Sequence, residues 1–369
     1  MSMKIVFIAS SIQDPHAIKR IEEFVAQGYE VVVYGFSRKR TIPMQKHNFS
    51  IQCIGEYSNE KPYWNRIHLI LKALRNVKKR HATEQVLWYY FGLDIALCAM
   101  IIGHMKPYIY EECDLVHTYI GNHFVRSVLE MIDKWLIRKA LISIFTSEGF
   151  LIYHFGNKKP KNSYVLANKL NTDILTVPKV EKKSIDLNHL SFAFVGGARF
   201  DSLVSFSEII SKNFPSYSFH FFGEPVAQYR ERFNELRSLY QNVFFHGAFK
   251  NPDDLPTIYS QIDIVVSTYD AKYENVKYAE PNKIYEAIYF ETPIVVTEGT
   301  FLAEKVSRLK IGYVVNPFDE KSVCEWVKKL SKESIEEKKK SCSLINKRDC
   351  LNINDSFFSD FKSKVFDRR

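Results

Sequence analysis

The chain has 369 residues, of which 46% are hydrophobic and 25% charged. That length is too great for one ordinary domain and suits two, in a soluble chain able to bury two cores. A net charge of +9 points to anionic partners: nucleic acid, phosphorylated small molecules or acidic lipid.

The six cysteines form no CxxC pair, and no Cys/His group has zinc-ligand spacing, which fits free thiols in a reducing compartment. The opening MSMKIVFIASSIQDPH has no long apolar segment after its lysine, so it reads as a first strand rather than a secretion signal.

KIVFIAS (4–10) is a strand, HAIKRIEEFVAQG (16–28) a helix closed by Gly28, and YEVVVYGF (29–36) the next strand. This βαβ opening predicts a parallel sheet. KPYWNRIHLILKALRNVKKR (61–80) has seven Lys/Arg, no Asp/Glu, and one apolar stripe of Trp64, Ile67, Leu71, Leu74 and Val77. A basic amphipathic helix of this kind suits an anionic membrane face; the competing reading packs the stripe on its own domain. The apolar run 86–102 approaches the length of a membrane span, but Asp94 lies within it, so it reads as a buried helix. DLVHTYI (114–120) reads as a strand, followed by a helix over 125–140 and strands at 141–147 and 163–168.

The polar stretch 169–190 carries a proline and a lysine cluster and reads as a linker. The α/β rhythm then restarts. Strands are expected at 190–197, 217–225, 242–247, 263–269, 293–299 and 312–317, with helices between them and a charged helical tail from 320. The predicted fold class is therefore α/β, with two Rossmann-like, doubly wound domains and a ligand cleft between them. The domain over 1–168 is followed by the linker 169–190, a second domain over 191–345, and a final helix over 346–369 expected to pack back on the first domain.

One stretch of the second domain carries chemistry. In EPNKIYEAIYFETPIVVTEG (280–299), Pro281 marks a helix start. Lys283 and Glu286 share one face of that helix, while Ile284, Ala287 and Ile288 face the sheet. A helix N-terminus and an adjacent lysine suit a phosphate, and a carboxylate one turn on suits the two hydroxyls of a ribose. FVGGARF (194–200) adds Gly196 and Gly197, which allow close backbone approach, and Arg199, whose donor fork can clamp a diphosphate.

The spacing Pro281-x-Lys283-x-x-Glu286 followed by FETPIVV resembles the donor-site signature of GT-B glycosyltransferases, in particular the retaining family-4-type group that builds bacterial polysaccharides such as capsule and O-antigen. QGYEVVVYGF, DLVHTY, SYVLANKLNTD and VFFHGAFKNPDDLPTIYSQIDIVVSTY resemble other parts of that fold in the same order. The resemblance implies that Glu286 binds the donor ribose. Arg199 and Lys283 would neutralise the departing diphosphate, Gly197 and the backbone of Pro281, Asn282 and Lys283 would line the phosphates, and His117 would contact the transferred sugar. The chain departs from the family pattern at Tyr278, where many members have a glutamate, and it has no lysine soon after Arg199.

These readings predict a hexosyltransferase-type enzyme that moves a sugar from a UDP- or GDP-linked donor to a hydroxyl of a glycan or polyprenyl-linked glycan, with retention. No cofactor is expected, and the absence of Asp-x-Asp predicts no metal. The expected location is the cytoplasm, with peripheral attachment to the inner membrane surface through 61–80. Two other classes compete. A nucleotide-sugar epimerase would need acid/base groups around the sugar. A nucleic-acid-binding protein is suggested by charge alone, without a motif.

Overall fold

The computed structural model describes residues 4–37, 48–57, 63–103 and 106–366, with the side chains of 63–65 and 366 outside the described set. Trp64 of the predicted apolar stripe therefore lies outside the described side chains. The chain divides into two compact units, Met1–Leu166 with Asn354–Arg369, and Ala167–Ile353.

In the first unit the elements run β1 (Lys4–Ala9), α1 (Pro15–Ala26), β2 (Val31–Ser37), β3 (Ile51–Glu56), α2 (Tyr63–Arg80), β4 (Val86–Phe91) and α3 (Leu93–Ile101). They continue with β5 (Tyr108–Glu112), a 3₁₀ turn (Val116–Tyr119), α4 (His123–Lys139), β6 (Ile142–Phe145), α5 (Glu148–Phe155) and β7 (Ser163–Val165). Among the described residues these strands form one parallel sheet in the order β3-β2-β1-β4-β5-β6-β7. Asp14 caps α1 by accepting from the N–H of His16, and Pro15 follows at the helix start. The C-terminal helix Asp355–Phe366 returns to this unit, where Phe357, Phe358 and Phe361 ring Phe24 at centroid distances of 5.1–6.3 Å.

Two expectations for this unit are corrected. Residues 86–102 are not one helix: VLWYYF forms the fully buried strand β4, Gly92 turns the chain at φ +84°, and only then does α3 begin. Large aromatic side chains fit the pleated surface of a central strand, and the positive φ at Gly92 ends it. No helix among the described residues is long and apolar enough to cross a membrane. The strand expected at 114–120 lies instead at Tyr108–Glu112, and His117 sits in the 3₁₀ turn that follows.

The second unit runs β8 (Ser191–Val195), α6 (Asp201–Asn213), β9 (Ser218–Phe222), α7 (Arg230–Leu239), β10 (Val243–Gly247), α8 (Leu255–Ser260), β11 (Ile264–Ser267) and α9 (Glu274–Tyr278). Then follow α10 (Lys283–Tyr289), β12 (Ile294–Thr297), α11 (Phe301–Leu309), β13 (Gly312–Val315), α12 (Glu320–Lys328) and α13 (Lys332–Ser343). The sheet is again parallel, in the order β10-β9-β8-β11-β12-β13. One face packs Phe192, Phe194, Phe206, Phe219, Phe221 and Phe233; the other packs Ala193, Val195, Ile284, Ala287, Ile288 and Val296. Such strands are apolar throughout because both faces are covered.

Residues 169–190 are irregular but belong to the second unit. Leu170 and Ile174 are buried, and Leu170 exchanges backbone hydrogen bonds with Cys350 and Asn352. Lys182 donates to Thr292, and Lys183 pairs with Asp263 at 3.0 Å. Lys182 and Lys183, two of the lysines that made this stretch look like a linker, are tethers.

Candidate active site

In a doubly wound sheet, ligands bind beyond the carboxyl ends of the strands, where successive connections leave in opposite directions. In the second unit that point lies between β8 and β11. At the end of β8 the N–H of Gly196 donates to the carbonyl of Phe222 at 2.6 Å, and Ala198 N–H to Glu224 O at 3.2 Å. Gly196 adopts φ +136°, and a side chain at Gly223 would collide with the Gly196 carbonyl. Both glycines are thus required where two strand ends meet.

Lys283 arrives from α10. Ile284, Ala287 and Ile288 anchor this helix against the sheet, as the spacing predicts. Pro281 precedes the N-cap Asn282 and lies just outside the helix. The ammonium of Lys283 lies 5.2 Å from the ring centroid of Phe194 and over Gly196, where a Cβ would come within 2.9 Å of Nζ. Lys283 is only 5% exposed. Among the described residues it has no hydrogen-bond acceptor and no carboxylate partner. An ammonium carried on a largely buried side chain, beside a ring and a bare glycine and without an anion of its own, is preorganised for one.

Glu286 lies one turn further on and does not pair with Lys283. It is 2% exposed. Its Oε2 accepts from Tyr259 Oη at 2.7 Å, and its Oε1 from Asn282 Nδ2 at 2.8 Å. Burial and the Glu286 carboxylate push the Tyr259 phenol well above its ordinary pKa, so it stays protonated and donates. The two predicted residues are therefore not an exposed helix ion pair; one is held by neutral donors and the other is left open. Glu280, close by in sequence, is paired with Lys305 at 2.6 Å and accepts from Tyr285.

Arg199 is exposed, with its guanidinium 5.1 Å from the Phe200 ring centroid and no carboxylate partner among the described residues. Gly197 is open, its nearest neighbours 3.9 Å from an added Cβ, so the close approach belongs to Gly196. His117 lies in the first unit and is fully buried; its Nδ1 is 3.5 Å from Asp133 Oδ2, and its Nε2 3.4 Å from Tyr153 Oη.

Sequence reasoning missed a polar group beyond β11 and β12. Ser267 Oγ, Thr268 Oγ1, both oxygens of Asp270 and Thr297 Oγ1 are buried without a hydrogen-bond partner. Asp270 is approached by Lys272 Nζ at 3.5 Å. The signal was present: STYD directly follows the apolar IVV, at the strand end where ligands gather.

Comparison with known proteins fits this placement. Residues 177–333 match the family described as Glycosyl transferases group 1. The chain carries a group 1 glycosyl transferase domain. That domain holds Gly196, Arg199, Lys283 and Glu286 together. The chain is 21% identical, over 338 aligned residues, to the succinoglycan biosynthesis protein ExoL of Rhizobium meliloti (strain 1021), covering 87% of this chain and 83% of the relative. Among solved structures, sucrose-phosphate synthase from Thermosynechococcus elongatus matches at TM-score 0.69 and 14% identity, with 100% of both chains covered. HepE from Anabaena, in complex with UDP-glucose, matches at TM-score 0.69 and 14% identity over 98% of this chain and 100% of that one. These likenesses show the fold: two Rossmann-like units arranged in sequence as in the GT-B fold.

Proposed function

We propose that this group 1 glycosyl transferase domain binds the diphosphate of a nucleoside-diphosphate sugar, and that the chain transfers the sugar, with retention, to a hydroxyl of a glycan or lipid-linked glycan. The single observation that carries this reading is the ammonium of the largely buried Lys283 over Gly196, without an anion of its own among the described residues. Breaking a sugar–phosphate bond places negative charge on the leaving diphosphate. A fixed cation in a low-dielectric site stabilises that charge without reorganising. Arg199, exposed and uncommitted, supplies a second positive group.

Glu286 fits the ribose. Tyr259 and Asn282 hold its carboxylate, and each oxygen keeps a further lone pair for a hydroxyl donor. No step needs a metal, since Lys283 and Arg199 provide the positive charge. The acceptor hydroxyl attacks on the leaving-group face, and the departing phosphate takes its proton. His117, with no exposed side-chain surface, has no part in this reading.

The relatives support the substrate class: one is a succinoglycan biosynthesis protein, and HepE was solved with UDP-glucose. A bacterial surface polysaccharide is therefore the proposed product, and a UDP- or GDP-linked sugar the donor. Membrane attachment rests on charge rather than on the predicted apolar stripe. Leu74 and Val77 of that stripe are buried within the unit, whereas Lys72, Arg75, Lys79 and Arg80 are exposed along α2. These four give a cytoplasmic enzyme a basic contact for an anionic membrane face.

The test is a transfer assay with UDP- and GDP-sugars and polyprenyl-linked acceptors, read by mass spectrometry and by the anomeric configuration of the product. Acceptor-dependent product with retained configuration, lost in Glu286→Ala, is expected. A sugar nucleotide altered without any acceptor would make the chain an isomerase and overturn the reading.

A further inference from the structure

The first unit contains a second buried group of charges, on elements other than those that carry Lys283 and Glu286. Glu112 at the end of β5, Asp133 in the middle of α4, and His154 in α5 bring their ligand atoms within 4.8 Å of one another. His154 Nε2 is 2.9 Å from Glu112 Oε1 and 3.9 Å from Asp133 Oδ2. His117, from the 3₁₀ turn, adds Nδ1 at 3.5 Å from the same Asp133 oxygen. Glu112, Asp133 and His117 are fully buried, and the His154 side chain is too.

No lysine or arginine among the described residues pairs with either carboxylate. Two buried carboxylates without a cation are expensive. Glu112 Oε2, Asp133 Oδ2, His117 Nδ1 and His154 Nδ1 are all buried without a hydrogen-bond partner. The neighbouring Glu111 shows what a satisfied carboxylate looks like here. It takes Arg20 Nε at 3.2 Å, His16 Nε2 at 2.8 Å and the hydroxyl of Tyr89.

We propose that Glu112, Asp133 and His154 form a buried structural site for a first-row divalent cation, with zinc the best fit and His117 standing beside the same Asp133 oxygen. Imidazole nitrogens and carboxylate oxygens are both zinc ligands, and bonds of about 2.0–2.2 Å place tetrahedral ligands roughly 3.3–3.6 Å apart. The separations of His154 Nε2 from Glu112 Oε1 and Asp133 Oδ2, 2.9 and 3.9 Å, bracket that range. Tyr110 Oη donates to Asp133 Oδ1 at 2.7 Å, leaving Oδ2 for the ion. An ion here would tie the end of β5, α4 and α5 to one point. With all three protein ligands buried, its role is folding rather than catalysis.

The test uses the full chain with its purification tag removed. Elemental analysis after expression in zinc-containing medium should find close to stoichiometric zinc. Metal-stripped protein should melt about 5–10 °C higher with zinc at a hundredfold excess over Kd, and should not respond to magnesium. Cobalt added to stripped protein should give visible bands of tetrahedral intensity. Asp133→Asn, which keeps the side-chain shape, should abolish retention and the melting shift; if that variant does not fold, the wild-type melting and cobalt spectra decide alone. Wild-type protein that holds no metal and does not respond to zinc would overturn the proposal, leaving the four groups to share protons. Equal zinc binding by Asp133→Asn would also overturn it and place the ion elsewhere, with the His220–His246 pair, whose ring nitrogens are 2.9 Å apart, as the place to look.

Discussion

Two buried charges are solved differently in the two units. In the first, Arg20 and Glu111 are both almost fully buried, and each is the other's partner. In the second, Lys283 is nearly as buried and has no anionic partner among the described residues. The first arrangement holds structure together: Arg20 also reaches Glu23 at 2.6 Å and the carbonyl of Leu166 at 3.1 Å, joining α1 to β5 and to the end of the unit. The second holds energy in reserve for a ligand. A buried ion that is fully satisfied cannot serve as a binding site, and one that is unsatisfied has little other use.

The comparison breaks first at Arg20. Arg20→Met leaves Glu111 buried without its cation and should destabilise the chain by about 3–5 kcal/mol, measured by urea unfolding. Burial alone would raise the Glu111 pKa, but Arg20 and His16 outweigh it and hold it at about 2, below the ordinary 4.5. The group therefore adds stability above its unfolded pKa, and loses it as pH falls from about 4.5 to 2. Wild-type stability should drop across that window by about 3 kcal/mol on account of Glu111 alone. Arg20→Met should show a shallower slope there.

The opposite sign is expected at Lys283. Lys283→Met should cost about 10²–10³-fold in transfer rate, yet raise ligand-free stability by about 0.5–2 kcal/mol, because it removes an uncompensated charge. Loss of both activity and stability would mean that Lys283 is paired like Arg20. Glu286→Ala strands the buried hydroxyl of Tyr259 and should destabilise by about 1–3 kcal/mol as well as weaken donor binding. Gly196→Ala brings a methyl against the ammonium at a strained φ, and should cost about 1–3 kcal/mol in folding or donor affinity combined. The smallest effect is at α2: replacing Lys72, Arg75 and Lys79 by Glu should release the chain from anionic vesicles without changing its melting temperature by more than a degree or two, as exposed charges contribute little to folding.

Much of the second unit was legible. Its strands are short, apolar and punctuated by glycine, and the Pro-x-Lys-x-x-Glu spacing placed both candidate side chains on α10. The burial of Glu286 by Tyr259 was not legible, since its partner lies 27 residues away and arrives only through packing. The first unit misled in one instructive place. The strand was expected at DLVHTYI, whereas YIYEE, which ends in two glutamates, forms it. Glu111 is tolerated there because Arg20 comes from 91 residues away. Glu112, on the other face, meets Asp133 and His154 instead. Such tertiary partners leave no periodic trace in a single sequence. The run 86–102 misled for a related reason: a buried strand and a buried helix joined in sequence read as one apolar segment, divided only by Gly92.

The central claim is that Lys283 is held open for the diphosphate of a sugar nucleotide. The most direct measurement is a thermal-shift and calorimetric titration of UDP, GDP, ADP and CMP and their sugars against wild-type and Lys283→Met protein, with EDTA and with magnesium. The account predicts stabilisation by one nucleoside diphosphate and its sugar, equal in EDTA and magnesium, and absent in Lys283→Met. Binding that survives the loss of Lys283, or that none of these nucleotides produces in the wild type, would contradict it.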